Sequence, residues 1–199
     1  MSVLTGQRIV ERLTASQNRL VITPILSPKQ IGPSSVDLRL GNQFIVFRMH
    51  MLGTFKPFNT PSSNLKKMQE RQVVRFGSHF VLHPGMLALG STFEYISLPS
   101  DLCGEVEGRS SWARVGLQIA TATCVEPGFK GVLTFELSNV GTIPLELYPG
   151  VRVAQIILHD AQPPDSKGYG SKRKYDCPVG PEFSQVQLDQ DGKAFSVME

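Results

Sequence analysis

Eighteen glycines and 14 prolines cut this 199-residue chain into short segments. That punctuation constrains the fold more than any other feature. Both residues interrupt helices, so the apolar runs between them favour many short strands over long helices. Ser35–Val46 begins with Val36, Leu38 and Leu40 on one face and Asp37 and Arg39 on the other, then continues past a turn near Gly41-Asn42 into Phe44 and Val46. Further strands are predicted at Phe80–Leu82, Leu87–Ser91, Thr92–Ile96, Gly104–Glu107, Val132–Ser138, Ile143–Leu147 and Val151–Leu158. The pattern reads as an all-β barrel or sandwich. Helix is expected at residues 5–14, where Thr5 is the N-cap and Leu4 staples onto Ile9, and around Ser111–Val115. The polar stretch Phe55–Gln72 is read as an excursion with some helix. Gln162–Tyr175, rich in Pro, Gly, Ser and Lys, is read as a loop or mobile arm, part of a C-terminal arm spanning 162–199.

The chain is read as one domain over 1–199, long enough to bury a core unaided. A formal charge of +3 is too small to argue for a nucleic-acid partner. No stretch approaches the ~20 apolar residues of a membrane span, and MSVLTGQRIVERL lacks a secretory pattern. A cytoplasmic protein is the expectation. Cys103, Cys124 and Cys177 are an odd count without paired spacing, which fits reduced thiols better than a disulfide framework or a zinc site. His50, His79, His83 and His159 are scattered. The His-x-Glu and Pro-Cys-x-x-Cys pair that zinc base deaminases use for their metal is absent.

Chemistry concentrates in three places. In Gly108–Leu117, GRSSWARVGL, a glycine turn, two serines and two arginines precede a short helix that Ser110 can cap and Gly116 can end. Free N–H groups, hydroxyls and guanidinium suit phosphate, although an ordinary serine cap beside surface arginines has the same pattern. In VLTFELS, Glu136 shares a face with Val132, Thr134 and Ser138, a face that either meets solvent or lines a pocket. Glu126-Pro-Gly-Phe-Lys-Gly reads as a turn, either a hairpin with one core aromatic or a site where Glu126 bonds a sugar hydroxyl and Phe129 packs on the ring. Lys172, Arg173 and Lys174, near Tyr169 and Tyr175, form a basic run that suits either solvent or a polyphosphate.

In order along the chain, PSSVDLRLGNQF, HPGMLALGSTFE, LPSDLCGEVEGRSSWARVGL, EPGFKGVLTFELSNVGTIPLELYPGVRVAQI and the KY of Lys174–Tyr175 resemble the dCTP deaminases of the dUTPase-like superfamily, which have no protein-built metal site. The resemblance implies a distorted β-barrel or jelly-roll-like subunit in a homotrimer that shares active sites between neighbours. It implies Glu136 as proton shuttle, Ser110 helping to hold the attacking water, and Arg114 orienting Glu136. Arg109, Ser110 and Ser111 would contact the triphosphate, within a binding segment that includes Trp112 and Ala113. Backbone at Ala122 and Val125 would read the base edge, Thr134 and Phe135 would form the nucleoside pocket, and Glu126 and Phe129 would meet the sugar. Tyr169 and Lys174 would close on the phosphates. Mg²⁺ would arrive on the triphosphate, with no zinc.

The implied reaction is hydrolysis of dCTP to dUTP and ammonia, feeding dUTP and dTTP synthesis, with neither nucleic acid nor membrane as partner. A bifunctional enzyme that carries dCTP on to dUMP, and a non-catalytic nucleotide-binding regulator, are the alternatives. Four positions depart from the family pattern. Glu126 stands where Asp is usual, Pro178 where Gln is usual, Trp112 replaces a usual Leu, and Cys124 sits where other side chains are common.

Overall fold

Thr5 opens the first helix as the sequence predicts: its hydroxyl accepts the Arg8 N–H, and Leu4 and Ile9 are both buried. The computed structural model describes residues 2–48, 54–58, 62–120, 124–162 and 175–189. Their elements are α1 (Gly6–Thr14), β1 (Val21–Thr23), β2 (Ser35–Arg39), β3 (Gln43–Phe47), α2 (Ser62–Met68), β4 (Gln69–Val73), β5 (Phe80–Leu82), β6 (Leu87–Ser91) and β7 (Tyr95–Ser97). They continue with β8 (Leu102–Gly108), α3 (Ser110–Ala113), β9 (Leu117–Ala120), β10 (Cys124–Val125), β11 (Lys130–Gly131), β12 (Thr134–Asn139), β13 (Leu145–Leu147) and β14 (Arg152–Asp160).

The strands form sheets ordered β1-β7-β11, β10-β8-β14-β2, β4-β3-β6-β12-β9 and β13-β5, and every described pairing is antiparallel. This is the all-β architecture that the Gly and Pro punctuation predicts. Alternate residues of β2 (Val36, Leu38), β8 (Leu102, Val106), β12 (Phe135, Leu137) and β14 (Ile156, Leu158) turn into one hydrophobic core. Phe44 and Phe80 stack there with centroids 4.4 Å apart, joining β3 to the β5–β13 pair.

Several expected boundaries move. The run read as Ser35–Val46 divides into β2 and β3, which lie in different sheets. The strand expected at Thr92–Ile96 starts at Tyr95, because Thr92 is held as an isolated bridge to Leu40 and its hydroxyl is committed to the Glu94 carbonyl at 2.7 Å. The polar excursion contains the expected helix, α2, but ends in β4, whose QERQV sequence lacks the apolar alternation that marks a strand. Cross-strand pairing with β3, from Gln43↔Val73 to Phe47↔Gln69, supplies what composition does not. No helix among the described residues is long and apolar enough to cross a membrane.

The described part of the C-terminal arm, residues 175–189, is seated on the sheets. Pro178 is buried and its carbonyl accepts the Val132 N–H at 2.8 Å. Glu182 N–H donates to Thr134 Oγ1 at 3.2 Å, and the Arg71 guanidinium lies 5.4 Å from the centre of the Phe183 ring. A Cβ on Gly131, whose φ is +136°, would lie 2.5 Å from Pro178 Cδ, so the arm needs glycine there.

Candidate active site

Strand β8 runs antiparallel to β14 as far as Gly108↔Ala154, and Arg109 extends that contact by donating its N–H to Val153 O at 2.9 Å. This bond holds Arg109 extended, at φ −74° and ψ 133°, so Arg109 occupies the N-cap position. Ser110 is therefore the first helical residue and not the cap expected from sequence; no side chain caps α3. Helix α3 ends earlier than expected, with Arg114 as its C-cap, and Gly116 at φ +98° closes the turn that follows. Ser110, Ser111, Ala113 and Arg114 are exposed, whereas Trp112 is half-buried and donates its indole N–H to Arg152 O at 3.0 Å.

The start of α3 opens a cleft of about 390 Å³ lined by Asp37, Gly108, Arg109, Ser110, Ser111 and Gln155. The sequence places Asp37 only in the polar row of its strand. In the fold its carboxylate lies between two guanidiniums: Oδ1 is 3.5 Å from Arg109 Nε, and Oδ2 accepts from Arg152 Nη1 at 2.9 Å. Gln155 Oε1 accepts from the Ser35 hydroxyl at 3.2 Å. With Arg109 in the cleft and Arg152 beside it, two guanidiniums face the single Asp37 carboxylate, and the Ser110 and Ser111 hydroxyls add donors, a set that suits a polyphosphate. Arg152 and Gln155 lie in the VRVAQI end of a segment that carries the resemblance, but no site role is read for them from sequence. The β2–β14 register pairs Gln155 with Asp37 and Arg152 with Arg39, so Arg152 reaches Asp37 diagonally, past the irregularity between Arg152 and Ala154.

A fully buried carboxylate supports this corner. Glu94 is 0 % exposed, accepts Gln30 Nε2 at 2.8 Å on Oε1 and the Arg39 N–H at 2.9 Å on Oε2. Gln30 Nε2 also donates to Asp37 O at 3.0 Å, so one amide clamps β2 at Asp37. Burial pushes the Glu94 carboxyl above its ordinary range, opposed mainly by the Arg39 N–H bond.

Glu136 stands on a different sheet, in the middle of β12, flanked by Leu89 of β6 and Ala120 of β9. It is half-buried, and its Oε2 is enclosed without a hydrogen-bond partner. Burial pushes its carboxyl up, opposed only by its own backbone N–H. Its carboxylate is therefore partly withdrawn from solvent, with one oxygen enclosed. Arg114 forms no ion pair with Glu136 within this chain. The two stand on connected elements, however, since α3 leads directly into β9, the neighbour of β12.

The other predicted residues divide. Thr134 is half-buried on the face of Glu136 and holds the arm. Phe129 and Phe135 are core side chains. Val125 is buried in β10 opposite Gly104, and Glu126 is half-buried at the turn that the Phe129 N–H closes onto Glu126 O at 3.1 Å. Ala122, Tyr169 and Lys174 lie outside the described residues. All three cysteines are free thiols, and Cys103 is buried.

The chain is thus an antiparallel all-β subunit with a positive cleft at a short helix and a carboxylate with one enclosed oxygen on another sheet. A sequence model described as dCTP deaminase-like matches residues 3–161, and the chain belongs to that family. It is 40 % identical over 195 residues to the "dCTP deaminase, dUMP-forming" of Methanosphaera stadtmanae, covering 96 % of this chain and 97 % of the relative. It is 38 % identical over 193 residues to the "dCTP deaminase" of Haloarcula marismortui, covering 95 % and 97 %. Among solved structures, the 2'-deoxycytidine 5'-triphosphate deaminase of Agrobacterium tumefaciens superposes with a TM-score of 0.61 at 23 % identity. That superposition covers 80 % of this chain and 48 % of the other, so this chain spans about half of that protein's length.

Proposed function

We propose that this protein hydrolyses dCTP to dUTP and ammonia in the cytoplasm, with Glu136 as the proton shuttle. The observation that carries the reading is the enclosed, unpartnered Oε2 of Glu136 on a sheet joined to the positive cleft. A carboxyl raised by burial is a better proton acceptor than an exposed one, and it holds a proton long enough to return it. Water adds through oxygen to cytosine C4 while Glu136 takes one of its protons and passes it to N3. The second proton leaves the C4 hydroxyl for Glu136 and is delivered to the amino nitrogen. The C4–N bond then breaks and ammonia departs. Shuttling of this kind contributes about 10²–10⁴-fold.

Arg109, Ser110 and Ser111 bind the triphosphate. Magnesium enters as part of the substrate: Asp37, the one carboxylate among the described residues lining the cleft, is already held by two guanidiniums. Ser110 helps hold the water. Arg114, exposed and unpaired with Glu136 in the single chain, takes up its orienting role in a homotrimer whose sites are shared between neighbours. Ala122, Val125, Thr134 and Glu126 surround the nucleoside, with Tyr169 and Lys174 closing on the phosphates.

A second reading, onward hydrolysis to dUMP, draws support from the printed name of the Methanosphaera stadtmanae relative. Ion-exchange analysis after incubation with dCTP and Mg²⁺, with dUTP in parallel, separates the two. Conversion that stops at dUTP supports the deaminase alone, and dUMP with pyrophosphate supports the bifunctional enzyme. If neither nucleotide changes while dCTP binds, the protein is a regulator and the proposal fails.

A further inference from the structure

Strand β12 and helix α3 meet at a joint built on Asn139. This residue ends β12 three positions beyond Glu136 and is 1 % exposed. Its Nδ2 donates to Leu82 O at 2.9 Å and to Ile143 O at 2.8 Å, while Oδ1 accepts the Gly141 N–H at 2.9 Å. Two donors and one acceptor in one planar group are thus all used, a set that fixes which amide atom is which.

The turn that Asn139 closes is pressed against the end of α3. Val140 N–H donates to Gly116 O at 2.9 Å, and Asn139 itself pairs with Leu117 at the start of β9. A Cβ on Gly116 would stand 2.7 Å from Gly141 N. Gly116 also closes the turn that follows α3, two positions after Arg114, the helix C-cap. The orientation of α3 against β12 is therefore set by backbone contacts that one buried amide organises.

We infer that Asn139 is a positioning residue: it locks the helix carrying Ser110 and Arg114 to the strand carrying Glu136, without touching substrate. The inference rests on the proposed deamination and adds to it the element that holds its parts in register. Asn suits the place because Asp would turn a carboxylate oxygen toward two carbonyl oxygens, and a shorter side chain could not span Leu82 O, Ile143 O and Gly141 N–H together. Phosphate binding depends less on this joint, since Arg109 is anchored from the other side by Val153 O. A slackened joint should therefore act on turnover more than on substrate affinity.

The test is steady-state deamination of dCTP, corrected for folded fraction by thermal denaturation, for Asn139→Asp and Gly141→Ala, with Ile22→Val as a core control in β1. Gly141→Ala leaves the Asn139 amide intact but puts a methyl 3.2 Å from its Oδ1 and 3.3 Å from Val115 O, wedging the joint by a few tenths of an ångström. Misplacing reacting groups by about 1 Å costs about 100-fold, so both joint variants should lose roughly tenfold in kcat, with KM for dCTP within about threefold. Ile22→Val should keep its kcat per folded molecule.

If Asn139→Asp does not fold, Gly141→Ala decides. An unchanged kcat per folded molecule in Gly141→Ala, with an active wild type, overturns this inference alone. A wild type that never deaminates dCTP overturns the proposed function and this inference with it.

Discussion

Asp37 Oδ1 and Arg109 Nε are 3.5 Å apart inside the cleft, and the same carboxylate holds Arg152 on its other oxygen. Three charged groups from β2, the β8–α3 turn and β14 thus share one centre. Asp37 keeps 16 % of its side chain exposed, which leaves its pair with Arg109 open to exchange when phosphate oxygens enter.

Arg109→Ala should weaken triphosphate binding while leaving the fold intact, because Arg152 still neutralises Asp37. One lost charge-assisted hydrogen bond contributes about 1.5–3 kcal/mol, or roughly 10- to 100-fold in Kd. Calorimetric titration with dCTP in a Glu136→Gln background, where turnover is blocked, measures it. Unchanged affinity would put the phosphates elsewhere.

Glu136 has a folded-state pKa raised above the 4.5 of an unperturbed carboxyl by burial. Folding therefore favours its protonated form, and the stability this contributes at low pH is lost as pH rises through the folded pKa. Gln cannot ionise. Glu136→Gln should gain Tm over the wild type progressively as pH increases above 4.5, then level off once the wild-type carboxyl is fully ionised. The same variant should lose deamination, since an amide does not shuttle protons. Thermal melts across that range check the first point, and a Tm difference that does not vary with pH would contradict it.

Gly131→Ala should unseat the arm. The added methyl meets Pro178 at 2.5 Å, and the φ of +136° is strained for any L side chain. Limited proteolysis should cut within 175–189 several times faster than in the wild type. Equal cleavage rates would mean that the arm is held without the Gly131–Pro178 contact.

Much of this was legible before the fold was known. Thr5 caps its helix as its chemistry predicts, and β5 and β6 fall on the predicted residues. The role proposed for Glu136 rests in the sequence on resemblance alone, because alternation allows both a wet and an enclosed face. Glu94 gave no signal: a glutamate beside aromatic residues says nothing about whether Gln30, 64 positions away, will bond it. β4 was missed because its partner strand, not its own composition, makes it a strand.

The division has a physical basis. Caps, turns and face alternation depend on backbone geometry over a few residues, so the chain carried the short-strand fold class and the polar rows on its surface. The cleft depends on register between distant strands: Asp37 meets Arg152 across 115 residues, and a slip of one position would turn Asp37 to the opposite face. Tertiary packing decided that Asp37 would sit between two arginines, that Glu94 would be sealed, and that the Glu136 carboxyl would lose its water on one oxygen.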